Sequence, residues 1–251
     1  HRDLHLSLRR QRQMCIRDRE KLGVNIDIKA STSRKEALEG ATFCIISIEV
    51  GKRFELWDQD WKIPLQYGIR QVYGENGGPG GLFHSLRQIP PIIDICEDIN
   101  LICPDAVVFN FSNPMQRICH AVTTKFPDLR FIGLCHEIKS MNRQLPDLME
   151  TEMHNIEYRA AGLNHLSILL EARYKNTGKD GYPIIKQNFD TYFSDLVNKH
   201  DAKPSKPGAE RGVFRKLFKT YGYLPITTDS HLGEYIQWAY SCLLYTSPSP
   251  R

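Results

Sequence analysis

The period of the apolar positions changes several times along the chain. Residues 24–31 (VNIDIKAS) alternate, the signature of a half-buried strand. SRKEALEG reads as a short helix, with Ser33 as its N-cap and Gly40 as its stop. ATFCIISIEV (41–50) is an unbroken apolar run of strand length, the pattern of a parallel strand buried on both faces. Residues 52–68 read as helical, with Trp57 and Trp61 one turn apart, and a glycine-rich loop, GENGGPGG, spans 74–81. LFHSLRQIPPIIDICEDINLIC predicts a long helix, which Pro90-Pro91 should kink or split. A strand (AVVFNFS, 106–112), a helix opening at Asn113-Pro114, a strand (RFIGLC, 130–135) and a helix over 137–150 follow.

This alternation implies a parallel sheet with helices on its faces. Ligands of such sheets lie beyond the carboxyl ends of the strands. GENGGPGG, SNPM and CHE all fall at such ends. After residue 151 the pattern changes. EYRAAGLNHLSILLEARY alternates like a pair of antiparallel strands, and 176–210 is polar and rich in Pro, Gly and Lys, with one helix near 187–198. The stretch from Val213 begins helically, and no internal repeat is visible. A doubly wound nucleotide fold normally opens with strand, glycine-rich turn and helix. No such turn precedes residue 24.

The two ends of the chain depart from this picture. The segments MCIRDR and CLLYTS back-translate to nearly reverse-complementary DNA strings, as the adapter ends of sequencing libraries do. Residues 1–19 and 241–251 are therefore expected to be artefactual tails, with a partial nucleotide-binding domain over 20–150 and a partial C-terminal domain over 151–240. The formal charge of +4 owes a net five positive charges to residues 1–19 and Arg251, so the body stands at −1 and its charge argues against nucleic acid as a partner. No apolar run reaches the ~20 residues that cross a bilayer. Cys44, Cys96, Cys103, Cys119 and Cys135 remain in the body, an odd and scattered set that points to a reducing, cytoplasmic setting.

The candidate chemistry begins at FIGLCHEI, where a short apolar strand ends in Cys135 and His136. His165 follows in GLNHL. A thiolate and an imidazole suit a borderline divalent ion, and two protein ligands leave positions open for substrate. Each alone has a plainer reading: a small buried cysteine, a histidine hydrogen-bonded in a strand. Glu75 would ordinarily be solvated on its loop, and His120, His154 and His231 read as surface or structural residues.

Taken in order, GENGGPGG, FSNPM, GLCHE, AGLNH and GYLP…D.H..EY resemble glycoside hydrolase family 4, from about residue 24 to 240. The resemblance implies an α/β fold: a Rossmann-like parallel sheet of the lactate/malate dehydrogenase kind, here lacking its first βαβ unit, plus a truncated α+β C-terminal domain. It implies NAD and a divalent metal, most often manganese, as cofactors. Cys135 and His165 match the metal ligands, and His136 matches the general acid. Asn113 matches a residue touching substrate beside the nicotinamide, and Glu75 one that tunes the base. Arg87 would orient the loop or contact substrate. The base is matched by Tyr223, with Tyr221 and Asp229 as rivals.

The Cys-His pair is similar to the branch that acts on unphosphorylated α-glucosides, α-galactosides or α-uronides. The implied reaction oxidises the sugar at carbon 3 with NAD, eliminates the glycosidic oxygen with metal assistance, hydrates, and re-reduces. The partner is then a small α-glycoside, and the full-length protein a dimer or tetramer. Without the pyrophosphate turn, this chain is expected to bind NAD poorly. A lactate/malate-type 2-hydroxyacid dehydrogenase, or an inactive fragment of the hydrolase, is the alternative.

Overall fold

The computed structural model describes residues 29–200 and 212–239 except Gln237, together with Gly23 and Asp27; side chains are described to Phe193 in the first stretch. The strand expected at 24–31 falls largely outside the described residues, as do the two end segments. Helix α1 (Arg34–Leu38) starts at Ser33, whose hydroxyl accepts the Glu36 N–H at 3.3 Å, and the chain leaves it through Gly40 at φ +71°. Strand β1 (Phe43–Ile46) is shorter than its apolar run, and only Cys44 and Ile46 are buried. Phe43 and Ile45 are 68% and 71% exposed, so one face of β1 lies bare and the expectation of burial on both faces fails.

Helix α2 (Arg53–Gln66) is tied to the following loop by its two tryptophans. The Trp57 and Trp61 indole N–H groups donate to the Tyr73 and Gln71 carbonyls at 2.8 and 3.0 Å. Helix α3 (Gly78–Ile102) runs through Pro90 and Pro91 as one element. The proline pair does not split it. Gly81, Ser85, Gln88, Ile92, Cys96 and Ile99 form its buried stripe at helical spacing, so packing along that face compensates the ladder bonds the prolines lack. At Gly81 a Cβ would stand 2.4 Å from the Asn76 carbonyl carbon; the loop before α3 folds onto the helix start closely enough to need glycine.

Strand β2 (Val107–Asn110), helix α4 (Met115–Lys125) and strand β3 (Arg130–Gly133) complete a parallel sheet of order β1-β2-β3. Its core joins Ile46, Val108, Ile92, Ile99, Ile118 and Val122. Beyond β2 the Asn113-Pro114 peptide is cis.

A short 3₁₀ turn leads into helix α5 (Met141–Met149), whose Met141, Leu145 and Leu148 belong to a second core. That core underlies an antiparallel sheet: β4 (Ile156–Leu163), β5 (Leu166–Tyr174) and, after helices α6 (Tyr182–His200) and α7 (Gly212–Tyr221), β6 (Leu224–Pro225). Phe189, Phe193, Phe214 and Phe218 stack between the two helices. Helix α8 (Asp229–Tyr235) closes the described fold. Among the described residues no helix is long and apolar enough to cross a membrane.

Candidate active site

The β4–β5 hairpin turns in two residues, Asn164 and His165. His165 therefore sits in the turn, not in a strand, with φ at +65°. A non-glycine residue in that region is held there by its surroundings. Here the holder is Glu137, one carboxylate oxygen of which accepts the His165 N–H at 2.8 Å and the Asn164 amide at 3.3 Å. The other accepts the Ser167 hydroxyl at 2.7 Å. The last residue of CHE thus fixes the hairpin turn against the end of the parallel sheet.

Cys135 follows β3 at the carboxyl end of that sheet. Its Sγ lies 3.4 Å from His165 Nε2, across thirty residues of sequence. His136 is exposed beside it. Asn113 lies just past the neighbouring strand β2, on the same edge of the sheet. The ends of β1 and β2 are stitched by Ser112, whose Oγ accepts the Ile48 N–H and donates to the Ile48 carbonyl at 2.8 and 2.9 Å.

The other side of the His165 ring meets the glycine-rich loop and α8. Its Nδ1 is 2.9 Å from Asn76 Nδ2, and the His231 ring stacks on it at 3.7 Å between centroids. Tyr73 packs edge-on against His231 at 4.8 Å. Glu234, one helical turn beyond His231, accepts the Glu75 and Asn76 backbone N–H groups on Oε1 at 2.8 and 3.3 Å. Its Oε2 accepts from Asn76 Nδ2 at 3.4 Å.

Glu75 is only 5% exposed, so the solvated alternative fails. Burial, foremost, and the nearby Glu234 and Glu49 carboxylates push it up to about 7, against the pull of Arg53, whose Nη2 donates to it at 3.1 Å. Burial brings His165 down to about 4; burial and then its neighbour His165 bring His231 to about 3. Both rings stay neutral near pH 7, the form a metal ligand must have.

Among the described residues two groups of donor atoms are close enough to share a cation, Cys135–Glu137–His165 and Glu75–His165–His231. Glu137 already accepts three hydrogen bonds from the hairpin, and Glu75 is bound to Arg53. The sulfur and the Nε2 nitrogen facing each other make the better pair, and their donor chemistry fits a borderline divalent ion.

Three expected site residues are elsewhere. Tyr223 is 45% exposed and packs edge-on against Tyr182 at 5.9 Å. Because Leu224 pairs with Leu169 and Pro225 with Ile168, Tyr223 lies on the side of β6 away from the His165 turn. Tyr221 ends α7, exposed. Both Asp229 oxygens accept backbone N–H groups, from Val213 at 3.1 Å and Phe214 at 3.0 Å, which anchors the start of α7. Arg87 pairs with Asp60 through both terminal nitrogens, clamping α2 to α3. The tyrosines close to the carboxylates are Tyr73 and Tyr235. Burial and then Glu234 push Tyr235 up to about 12, with Arg117 opposing.

Asn76, Glu137, His231 and Glu234 were missed as site residues, although each lies inside a quoted motif. His231 and Glu234 are three residues apart, and that spacing places both on one helix face. His231 is half-buried, with its ring against His165.

Fold and site together define a Rossmann-like α/β unit joined to an antiparallel unit, with a thiol–imidazole pair between them. Residues 4–151 match the model of family 4 glycosyl hydrolases, and residues 160–247 that of the family 4 glycosyl hydrolase C-terminal domain. The chain belongs to glycosyl hydrolase family 4. It is 51% identical to an α-glucosidase of Erwinia rhapontici, over 84% of this chain and 52% of that protein. It is 33% identical to an α-galactosidase of Bacillus subtilis, over 86% of this chain and 47% of that one. The chain spans about half the length of these curated relatives. The crystal structure of the Bacillus subtilis lplD protein matches with a TM-score of 0.72 at 27% identity, over 88% of this chain and 54% of that one. A Thermotoga maritima 6-phospho-β-glucosidase solved with manganese, NAD+ and glucose-6-phosphate shares the fold, with a TM-score of 0.66 at 20% identity, over 96% of this chain and 55% of that one.

Proposed function

We propose that the protein to which this chain belongs hydrolyses O-glycosidic bonds of unphosphorylated α-glycosides, using NAD and a divalent cation, manganese first. The observation that carries this reading is the 3.4 Å approach of Cys135 Sγ to His165 Nε2 at the carboxyl end of the parallel sheet. The α-glucosidase and α-galactosidase relatives support the substrate class, and the family match favours it over a 2-hydroxyacid dehydrogenase.

In this reading Cys135 and His165 hold the cation. His165 is presented by the Glu137-locked turn and kept neutral by burial. His136, exposed next to the ligand, donates a proton to the leaving oxygen. Asn113 contacts substrate from the end of β2. Glu75, held by Arg53, sets the local charge around the reacting sugar. Tyr73 and Tyr235 join Tyr223 as candidates for the base, but burial and the neighbouring carboxylates raise both phenols, so either needs the bound cation to lower it. When bound, NAD supplies a hydride acceptor and the cation a Lewis acid.

The test is isothermal titration of manganese into the chain and its Cys135→Ala variant. The wild type should bind, and the variant should lose at least about tenfold in affinity, since it removes one of two protein ligands. Equal affinities would remove the cation site, and with it the hydrolase mechanism. Assay of p-nitrophenyl α-glucoside against its 6-phosphate, with NAD and manganese present, separates the unphosphorylated from the phosphorylated branch.

A further inference from the structure

We infer that Asn76, oriented by Glu234, is a positioning residue that selects which ring nitrogen of His165 carries the proton, and that its amide turns over when a divalent ion binds. This rests on the reading of Cys135 and His165 as the cation's ligands.

The amide nitrogen of Asn76 stands between two acceptors, His165 Nδ1 at 2.9 Å and Glu234 Oε2 at 3.4 Å. An ionised carboxylate only accepts, so the nitrogen end of the amide must face Glu234. The two amide hydrogens then serve both neighbours, and His165 Nδ1 is an acceptor. A neutral imidazole has one N–H, which must therefore be at Nε2, pointing at Cys135 Sγ 3.4 Å away. This arrangement satisfies the metal-free pair as an N–H···S contact, but it blocks the lone pair that a cation needs.

Binding requires the opposite tautomer, in which Nε2 ligates and Nδ1–H donates to a fixed acceptor. That acceptor is in place. Asn76 Oδ1 is buried and has no partner among the described residues. A buried carbonyl oxygen left unpaired costs free energy and calls for an explanation. Half a turn about the Cβ–Cγ bond brings it to His165 Nδ1. One proton leaves Nε2 and one is taken up at Nδ1, so the ring remains neutral, and the Cys135 thiol releases its proton to solvent. The loop backbone need not move, because the Glu75 and Asn76 N–H groups stay on Glu234 Oε1. Glu234 thus biases the empty site, and the cation reverses the bias.

Glu234→Gln isolates this effect. Its amide oxygen keeps the backbone N–H groups of Glu75 and Asn76, with Gly77 the third backbone donor here, which leaves its NH₂ facing Asn76. The Asn76 oxygen then prefers that side, and His165 should carry Nδ1–H even without a cation. The experiment is nitrogen NMR of the chain labelled with 15N-histidine, the His165 signals assigned by difference with His165→Gln. Expected are Nε2–H in the metal-free wild type, Nδ1–H with zinc as a diamagnetic probe, and Nδ1–H in metal-free Glu234→Gln. Asn76→Ala should weaken manganese binding by about 10- to 100-fold. Should that variant not fold, Asn76→Ser and the isosteric Glu234→Gln carry the test. Nδ1–H in the metal-free wild type, or a tautomer indifferent to Glu234→Gln, would overturn the inference. Unchanged manganese affinity in Cys135→Ala instead strikes the ligand assignment alone, since the metal-free tautomers are read without any cation.

Discussion

Glu75 has its carboxyl pushed from an ordinary 4.5 to about 7, chiefly by burial. The sign of the consequence is definite. Between those values the folded chain holds a proton that the unfolded chain has lost, so this group's stabilising share is full below about 4.5 and is lost as pH rises through about 7. Glu75→Gln removes that pH dependence. The variant should match the wild type near pH 4 and become relatively more stable as pH rises to 8. The gain is about 3 kcal/mol at most, at roughly 1.4 kcal/mol per pKa unit, with the pull of Arg53 already inside the shift. Urea denaturation across pH checks this; a constant difference between the two proteins would contradict the burial argument. The neighbouring histidines act in the opposite direction. With pKa values brought down to about 4 and about 3, they add stability as pH rises toward 6.5. At this scale the residue types were legible in the sequence: Cys135 and His165 were paired, and Glu75 was singled out. What was hidden is environment. GENGGPGG looks like a solvated loop until α8 lays Glu234 against it, and no periodicity reports a ring stacked on another ring.

At the scale of elements, the turn between β4 and β5 carries the site. Glu137 supplies the acceptor for three donors on that turn, one of them the N–H of a residue with positive φ. Glu137→Ala leaves those donors unpaired. It should cost about 1.5–3 kcal/mol, the usual worth of hydrogen bonds to a charged group. It should also weaken manganese binding about tenfold or more, as loss of an outer partner does. Calorimetry and thermal melting measure both, and a melting change without an affinity change would mean that the turn does not present His165. Element types were readable from period alone. Ser33 caps α1 as expected, the alternating stretch is the hairpin, and the helix foreseen near 187–198 is the longer α6. Two element-scale readings are qualified by local structure. The proline pair sits inside a helix whose buried stripe continues past it, so packing outweighs the missing bonds. Tyr223 was aligned to the site by motif; the β5–β6 pairing puts it beyond Leu224, at the end of β6 away from the His165 turn.

At the scale of the molecule there are two cores. The first lies under the parallel sheet; the second gathers α5 to α8 under the antiparallel sheet and includes the stacked phenylalanines. Phe189 contacts Phe193, Phe214 and Phe218 and is 2% exposed. Phe189→Ala should cost about 3–5 kcal/mol, as transfer and cavity costs add. Urea unfolding followed by circular dichroism reads it. A loss below about 1 kcal/mol would show that this aromatic stack is not the anchor of the second core. The thiol–imidazole pair lies where the two units meet, with Cys135 just past the parallel sheet and His165 in the turn of the antiparallel one, so the site depends on both.

The amino-acid sequence alone determined the alternation of elements, the family's motifs and the pairing of a thiol with an imidazole, because these depend on local period and residue chemistry. Tertiary structure alone decided that Glu137, Asn76, His231 and Glu234 surround His165, that Asp229 anchors a helix, and that one face of β1 is bare. Those outcomes depend on which surfaces meet across 15 to 159 residues, and pairings at such separations leave no periodic trace along the chain.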